Sequence, residues 1–230
     1  MTSPSVMFKH LRHQQLEAHF RHRAQDFDVI PDNELRVSRA LSWLRRSEDF
    51  AEYPDDRFIF LWIAFNAAYG IVSDQSQSSD ARSSYTRFLG QVVELDASQV
   101  IYHLVWTNYS DEIHGMLSNQ FVFQPFWDAY RLGLERSKWT RKMAGARRKA
   151  SKALAEHRTL DVLTILFDRL YTLRNQVLHG GATWSGAVNR LQVLHGAAIM
   201  SDLVPAIISV LIDHPDQDWG PVAYPHVEKM

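Results

Sequence analysis

The chain has 230 residues, of which 46% are hydrophobic and 12% aromatic, with 25 Lys and Arg against 26 Asp and Glu and no Cys. This length and apolar content are those of a globular protein with one large or two small domains, and they exclude disorder, a collagen-like repeat and a disulfide scaffold. The absence of cysteine excludes thiolate zinc sites and thiol nucleophiles, and with no signal-peptide core near the start it favours a cytoplasmic protein.

Apolar spacing predicts helices along most of the chain, beginning with a charged, His-rich helical arm over residues 1–30. A core helix is expected over 34–50, and Pro54 begins the stretch that leads to the next helix, over 57–72. Because this second helix is apolar on every side, we expect it in the middle of a helical bundle, with Asn66 as its one strongly polar side chain. It is shorter than the roughly 20 residues that a bilayer requires, so no membrane association is expected.

The Ser-rich segment 73–84 has nothing to bury and is predicted to be a surface loop. Six further helices are expected, and Pro205 should kink or divide the last of them. Their ranges are 85–96, 98–117, 124–136, 138–157, 160–179 and 187–212. No alternating run is long enough for a sheet. The sequence therefore predicts an all-α fold, with residues 31–230 forming a single helical domain.

The formal net charge of −1 conceals a basic segment, residues 131–158. Ten Lys and Arg against two acids give this segment +8, and the remaining 15 basic and 24 acidic residues carry −9. A local surplus of this kind attracts polyanions. The candidate RNA-binding residues within it are Arg141, Lys142, Arg147, Arg148 and Lys149. A solvated charged helix face is the alternative interpretation.

The helix expected over 160–179 ends in the segment LRNQVLHG, residues 173–180. At about 100° per residue, Arg174 falls inside the apolar stripe of this helix, where an unpaired guanidinium would cost several kcal/mol. It must therefore meet a partner, an anion or a cleft. Asn175 and His179 are four residues apart and share a different face. An arginine that reaches the pocket of His179, around its own helix or from a second subunit, would form a composite site.

The RNxxxHG pattern at residues 174–180 resembles the Rx4–6H signature of HEPN domains (higher eukaryotes and prokaryotes nucleotide-binding). The earlier segment FLWIAFNAAYG, Phe60–Gly70, resembles the central helix of one HEPN subgroup. The resemblance covers residues 35–212 and implies an HEPN-like antiparallel helical bundle with extra helices. It also implies a metal-independent endoribonuclease, often a bacterial toxin or anti-phage effector, that works as a homodimer through the motif helix. RNA would be the substrate, and an antitoxin or defence-system protein would be a further partner.

The same resemblance gives the catalytic positions to Arg174 and His179, with Asn175 as the supporting polar member of the set. Asn66 matches a polar residue often present on the earlier helix, and no metal or cofactor is required. Histidine exchanges protons at neutral pH, and a guanidinium binds two phosphoryl oxygens while it stays charged. Arg190 follows the motif closely enough to border its pocket and is a further candidate for RNA binding.

Several alternatives stay open. Arg174 could be a structural charge paired near Asp168 or Tyr171 or with another helix, and His179 could complement the helix dipole. The amide of Asn66 could bond a nearby backbone carbonyl. At the level of the whole chain, the domain could be an inactive module that binds RNA, a nucleotide or a protein, or a structural subunit of a larger complex.

Two other signals are set aside. The arm contains two H-x2-H pairs, His10 with His13 and His19 with His22, but no carboxylate or Cys pattern accompanies them and no metal site is predicted. The aromatic residues between Tyr102 and Tyr130 are expected to pack in the core rather than to stack on bases.

Overall fold

A computed structural model describes residues 12–26, 30–70 and 78–225. These residues contain ten α-helices and no strand, which confirms the predicted all-α fold. The helices are α1 (His13–Asp26), α2 (Pro31–Glu48), α3 (Pro54–Tyr69), α4 (Ser78–Leu95), α5 (Val100–His103), α6 (Ser110–Ser118), α7 (Gln124–Arg131), α8 (Arg136–Ala155), α9 (Thr159–Leu178) and α10 (Arg190–Asp213).

The chain divides into two compact units. Unit 1 extends to Ile101 and resumes at Met200, and unit 2 is Tyr102–Ile199. No shift in composition marks this division in the sequence. The assignment of residues 31–230 to one domain stays a prediction.

In unit 1, proline fixes the beginnings of α2 and α3. Pro31 and Pro54 stand in the first turn, where the missing N–H has no intrahelical partner to lose. The two helices pack as a hairpin, and the rings of Trp43 and Phe60 stack with centroids 5.9 Å apart. The buried residues of α3 are Phe58, Leu61, Trp62, Ala64, Phe65 and Ala68.

The structure corrects the expected loop over residues 73–84. Residues 78–84 are helical because α4 begins at Ser78, and residues 73–77 lie outside the described residues. Polar residues such as Ser and Asp are well suited to the beginning of a helix. The buried Phe88 and Leu89, further along α4, give this helix its packing.

Two other expectations on helix boundaries are corrected. The helix predicted over 98–117 is three pieces, because a π-helical turn, Leu104–Asn108, separates α5 from α6. Of the two effects expected of Pro205, a kink or a division of the last helix, division is wrong, since α10 continues through it. The neighbouring Val204 and Ala206 are buried, so packing offsets the hydrogen bond that proline cannot donate.

A buried arginine of α2 holds the C-terminal segment, residues 214–225, in unit 1. The Arg36 side chain is 0% exposed and donates hydrogen bonds to the carbonyls of Ala68 (2.8 Å), Gly70 (3.3 Å) and Gly220 (2.7 Å). These carbonyls belong to the end of α3 and to the C-terminal segment. A single guanidinium therefore satisfies main-chain groups from two distant parts of the sequence.

Two histidines of α1 are paired with carboxylates. His13 Nδ1 lies 2.6 Å from an oxygen of Glu48, and His19 Nε2 lies 2.7 Å from an oxygen of Asp213. Within the described ranges, no group of three His, Cys, Asp or Glu could hold a metal ion. His10 lies outside those ranges.

Among the described residues, α10 is the one helix long and apolar enough to cross a membrane, judged by length and composition alone. Of its most apolar 18-residue window, 78% is buried inside the structure.

Candidate functional site

In unit 2, α9 carries the RNxxxHG motif at its C-terminal end. The predicted apolar stripe is confirmed over most of the helix, because Leu163, Leu166, Leu170 and Leu173 are each 0% exposed. Val177, in the last turn, is half-buried. The helix therefore emerges from the core close to the motif.

The arginine that α9 buries almost completely is Arg169, which the sequence reasoning missed. It is 3% exposed, one nitrogen donates to the Leu117 carbonyl (3.4 Å), and the guanidinium carbon lies 4.4 Å from the Phe123 ring centroid. This carbonyl and this ring are suitable neighbours for a buried cation. Arg169 lies mid-helix at the edge of the apolar stripe, whereas Arg174 lies inside the stripe but near the end of the helix.

Arg174 is half-buried, and its side-chain partner is an amide rather than a carboxylate. Nη1 donates to Oδ1 of Asn175 (2.9 Å), and Nε is buried without a hydrogen-bond partner. In the part of the chain that the structure describes, no carboxylate forms an ion pair with Arg174. A guanidinium has five N–H donors; Asn175 takes one on Nη1 and Nε is buried, so the remaining donors are on Nη1 and Nη2.

His179 lies at the end of α9 in a glycine-terminated cap. The N–H of Gly181 donates to the Gln176 carbonyl (2.7 Å) and that of Gly180 to the Val177 carbonyl (3.3 Å), which is a Schellman motif. Gly180 supplies the left-handed conformation that this motif requires, with φ of +68°. The glycine of the RNxxxHG pattern thus ends the helix and leaves the imidazole exposed, without a hydrogen-bond partner among the described residues.

Asn175 is the link between the other two members of the motif. Its side-chain oxygen binds Arg174, and its carbonyl accepts the main-chain N–H of His179 (3.0 Å). The three residues lie within the last turn and a half of one helix. No hydrogen bond joins the Arg174 and His179 side chains to each other within the described chain, so their cooperation would require an RNA phosphate or a second subunit.

Gln176 occupies one of the unspecified positions of the pattern, and its side chain bonds to two neighbouring segments of the chain. Its Nε2 donates to the Phe121 carbonyl (2.6 Å), and its Oε1 accepts from Nδ2 of Asn189 (2.7 Å). Gln176 therefore connects α9 to the residues that precede α7 and α10. Arg190, at the start of α10, follows Asn189 directly and is half-buried.

Asn66 belongs to unit 1, where it is half-buried in α3. Its main-chain carbonyl accepts the N–H of Gly70 (2.7 Å). Its side chain makes no hydrogen bond to any described residue. The supporting role that the resemblance gives it stays a prediction.

The basic segment forms one exposed face of α8, which we call the basic face. It consists of Lys138, Arg141, Lys142, Arg148 and Lys149, whose spacing of i, i+3, i+4, i+10 and i+11 places them within about 120° of the helix circumference. None of the five has an ion-pair partner in the described residues. The buried side of the same helix contains Met143, Ala150 and Ala153.

Of the predicted RNA-binding residues, Arg147 has a different environment. It points away from the basic face, and Nη2 donates to the Ser118 carbonyl at the end of α6 (2.9 Å). Lys138 was not among the predicted RNA-binding residues but also belongs to the basic face. Its helical spacing from Arg141 and Lys142 is sufficient to place it there.

Exposed apolar side chains precede and follow the motif along the chain in unit 2. We call them the apolar surface: Tyr171, Leu178, Trp184, Val188, Leu191 and Leu194, which are 41–66% exposed. They come from the end of α9, the following loop and the start of α10. Clusters of large apolar side chains beside a polar site are typical of surfaces that bind another protein.

Comparison of the chain with protein-family models, with curated proteins and with solved structures gives no match.

Proposed function

We propose that the protein is a metal-independent endoribonuclease of the HEPN type, with Arg174 and His179 as its catalytic residues. The observation that supports this proposal is that an exposed imidazole and a half-buried guanidinium lie at the end of one helix, and that neither pairs with a carboxylate of the described residues. Arg36 and Arg169, in contrast, are almost completely buried and donate to main-chain carbonyls.

The reaction requires removal of a proton from the ribose 2′-hydroxyl, which attacks the adjacent phosphorus and expels the 5′-oxygen of the next nucleotide. His179 takes or delivers the proton, and Arg174 binds the phosphoryl oxygens on which negative charge develops. The products are a 2′,3′-cyclic phosphate and a 5′-hydroxyl. Asn175 is the positioning residue, because its side-chain oxygen holds the guanidinium.

A homodimer through the motif helix supplies the second proton-transfer group. Two copies of His179 then divide the roles of base and acid between the subunits. The exposed apolar surface beside the motif supports this arrangement, since a second copy of the chain would bury it. The basic face and Arg190 would guide RNA towards the site by electrostatic attraction.

The resemblance to HEPN domains also suggests a cellular role. On this resemblance we propose that the protein acts in the bacterial cytoplasm as a toxin or an anti-phage effector, and that an antitoxin or another protein of the defence system restrains it. We propose these partners together with the activity.

The test is incubation of purified protein with total RNA in the presence of a chelator. We expect the wild type to produce fragments that end in a 2′,3′-cyclic phosphate, and His179→Ala to produce none. His114→Ala, which removes another exposed histidine of unit 2, is the matched control and should cleave like the wild type. RNA binding without cleavage would instead identify an inactive RNA-binding module, which the basic face also favours.

A further inference from the structure

A groove of about 620 Å³ runs between α7 and α8 in unit 2, away from the motif. Its walls are apolar and aromatic on one side, and one edge belongs to the basic face. The residues that line the groove include Leu132, Leu134, Trp139, Lys138, Arg141 and Lys142. This volume falls within the range of pockets that hold a drug-sized ligand, which is also the size of a nucleotide.

The aromatic residue of the groove is Trp139, which is half-buried. Trp139 lines the groove and meets Phe126 edge-on, with centroids 5.0 Å apart. Phe126 in turn stacks on Tyr130 at 6.2 Å, and Tyr130 is 72% exposed. Core packing was expected for the aromatic residues between Tyr102 and Tyr130, and the structure corrects this for Tyr102 and Phe121, which are 36% and 44% exposed, as well as for Tyr130. For Tyr130 the reason is that α7 ends one residue later and leaves this side chain in solvent.

The charges at the groove favour an anion. Lys138, Arg141 and Lys142 have no ion-pair partner among the described residues. Two carboxylates are also present, but Asp128 is paired with Arg131 (2.7 Å).

The other carboxylate, Glu135, accepts a hydrogen bond from Ser137 (3.2 Å) and forms no ion pair within the described residues. Counting partners among the described residues alone, the groove has three unpaired cations and one unpaired carboxylate, and it attracts a negatively charged ligand that carries a flat apolar group.

We propose that this groove binds single-stranded RNA, with one unpaired base stacked against Trp139 and the flanking phosphates at Lys138, Arg141 and Lys142. The choice of RNA rests on the proposed function. A base inside a duplex has both faces covered, whereas an unpaired base offers a face to an aromatic ring. The groove therefore selects single strands, and the rest of the basic face contributes attraction that does not depend on strandedness.

The test measures binding of a labelled, unstructured RNA of about 12 nucleotides and of the matching duplex, by fluorescence anisotropy. The His179→Ala protein is used so that the RNA is not consumed. We expect the single strand to bind about tenfold more tightly than the duplex, and Trp139→Leu to remove this preference. Equal affinities for the two RNAs in the parent protein would overturn the proposal.

A second variant covers the case in which Trp139→Leu does not fold. Leu132 lines the groove and is 71% exposed, so Leu132→Glu places a carboxylate there without disturbing the core. Single-strand affinity should fall about tenfold, while Ser110→Glu, which adds the same charge at an exposed position of α6, should have little effect. Equal affinities of these two folded variants for the single strand would show that the RNA does not bind in the groove.

Removing the three cations tests the phosphate contacts. Combined replacement of Lys138, Arg141 and Lys142 by Gln should reduce the slope of log affinity against log salt by about 2, and an unchanged slope would reject these contacts. If the wild type cleaves RNA but no groove variant changes the affinity, the proposed RNA binding in the groove is wrong and the nuclease proposal is unaffected. If the wild type does not cleave RNA but the groove variants lose single-strand binding, the nuclease proposal is wrong and the groove proposal is supported.

Discussion

The guanidinium of Arg174 hydrogen-bonds to the side-chain oxygen of Asn175, its neighbour in the sequence, at 2.9 Å. Successive residues of a helix point about 100° apart, so the Arg174 side chain must bend around the helix to make this bond. Asn175 shares its face with His179, four residues later. The bond therefore directs the guanidinium from the apolar stripe towards the face that presents the imidazole.

Asn175→Leu should lower the rate of RNA cleavage about a hundredfold, because the side chain keeps its size but can no longer position Arg174. Single-turnover cleavage at saturating RNA measures the effect on the chemical step. Asn175→Gln keeps an amide oxygen at a shifted position and should recover part of the rate. If Asn175→Leu cleaves RNA as the wild type does, the positioning role is wrong.

Gly180→Ala should lower the stability of the protein by about 1–2 kcal/mol, since Gly180 has a φ of +68°. A Cβ at this position would meet no atom within 4 Å, so the cost is conformational rather than steric. Thermal unfolding measures it. Asn adopts the left-handed conformation more readily than Ala, and Gly180→Asn should lose less. Equal losses for the two variants would argue against this explanation.

Arg36→Lys should reduce the free energy of unfolding by about 3 kcal/mol. Burial lowers the pKa of Arg36, and the charge of Asp32 opposes this effect only in part. The site therefore tolerates a cation only because the planar guanidinium reaches several carbonyls at once, which an ammonium cannot do.

Denaturant unfolding tests this expectation. Arg45→Lys, at an exposed position on the same helix, is the matched control and should change stability by less than about 0.5 kcal/mol. A change at Arg36 as small as the change at Arg45 would show that the carbonyl contacts contribute little to folding.

The sequence was sufficient to predict the helices, because apolar residues repeat with the helical period wherever a face is buried. Leu163, Leu166 and Leu170 are the clearest case, and each is 0% exposed. The period did not predict the interruption at Leu104–Asn108, since the apolar pattern continues across a π turn. It also could not show that α4 begins at Ser78, because the Ser-rich segment carries no apolar pattern from which a helical period could be read.

For the candidate site, local pattern located the motif but not the contacts around it. The end of α9 could be predicted from Gly180 and Gly181, and the structure places the cap there. The side-chain bonds of Gln176 depend on which segments come together in three dimensions, and a single sequence does not contain this information. The same limit explains why Arg169 was missed: its partners lie about 50 residues earlier in the chain.

The dimer can be tested at the apolar surface. Leu191 and Leu194 are 56% and 41% exposed and lie on one face of α10, so Leu191→Glu with Leu194→Glu should leave each subunit folded. We expect light scattering to report a dimer for the wild type and a monomer for this double variant, because two carboxylates would have to be buried on association. Tyr224→Glu changes a side chain that is 75% exposed and outside the apolar surface, and it should remain dimeric.

Cleavage by the double variant then decides whether the site is shared between subunits. If the two copies of His179 divide the roles of base and acid, a monomer has only one of them and should lose nearly all activity. Mixing the wild-type protein with an excess of the His179→Ala protein should also remove nearly all activity, because most wild-type subunits would then be paired with an inactive copy. A monomeric double variant with full activity would place the complete reaction within one subunit, and Arg174 would then have to reach His179 around its own helix.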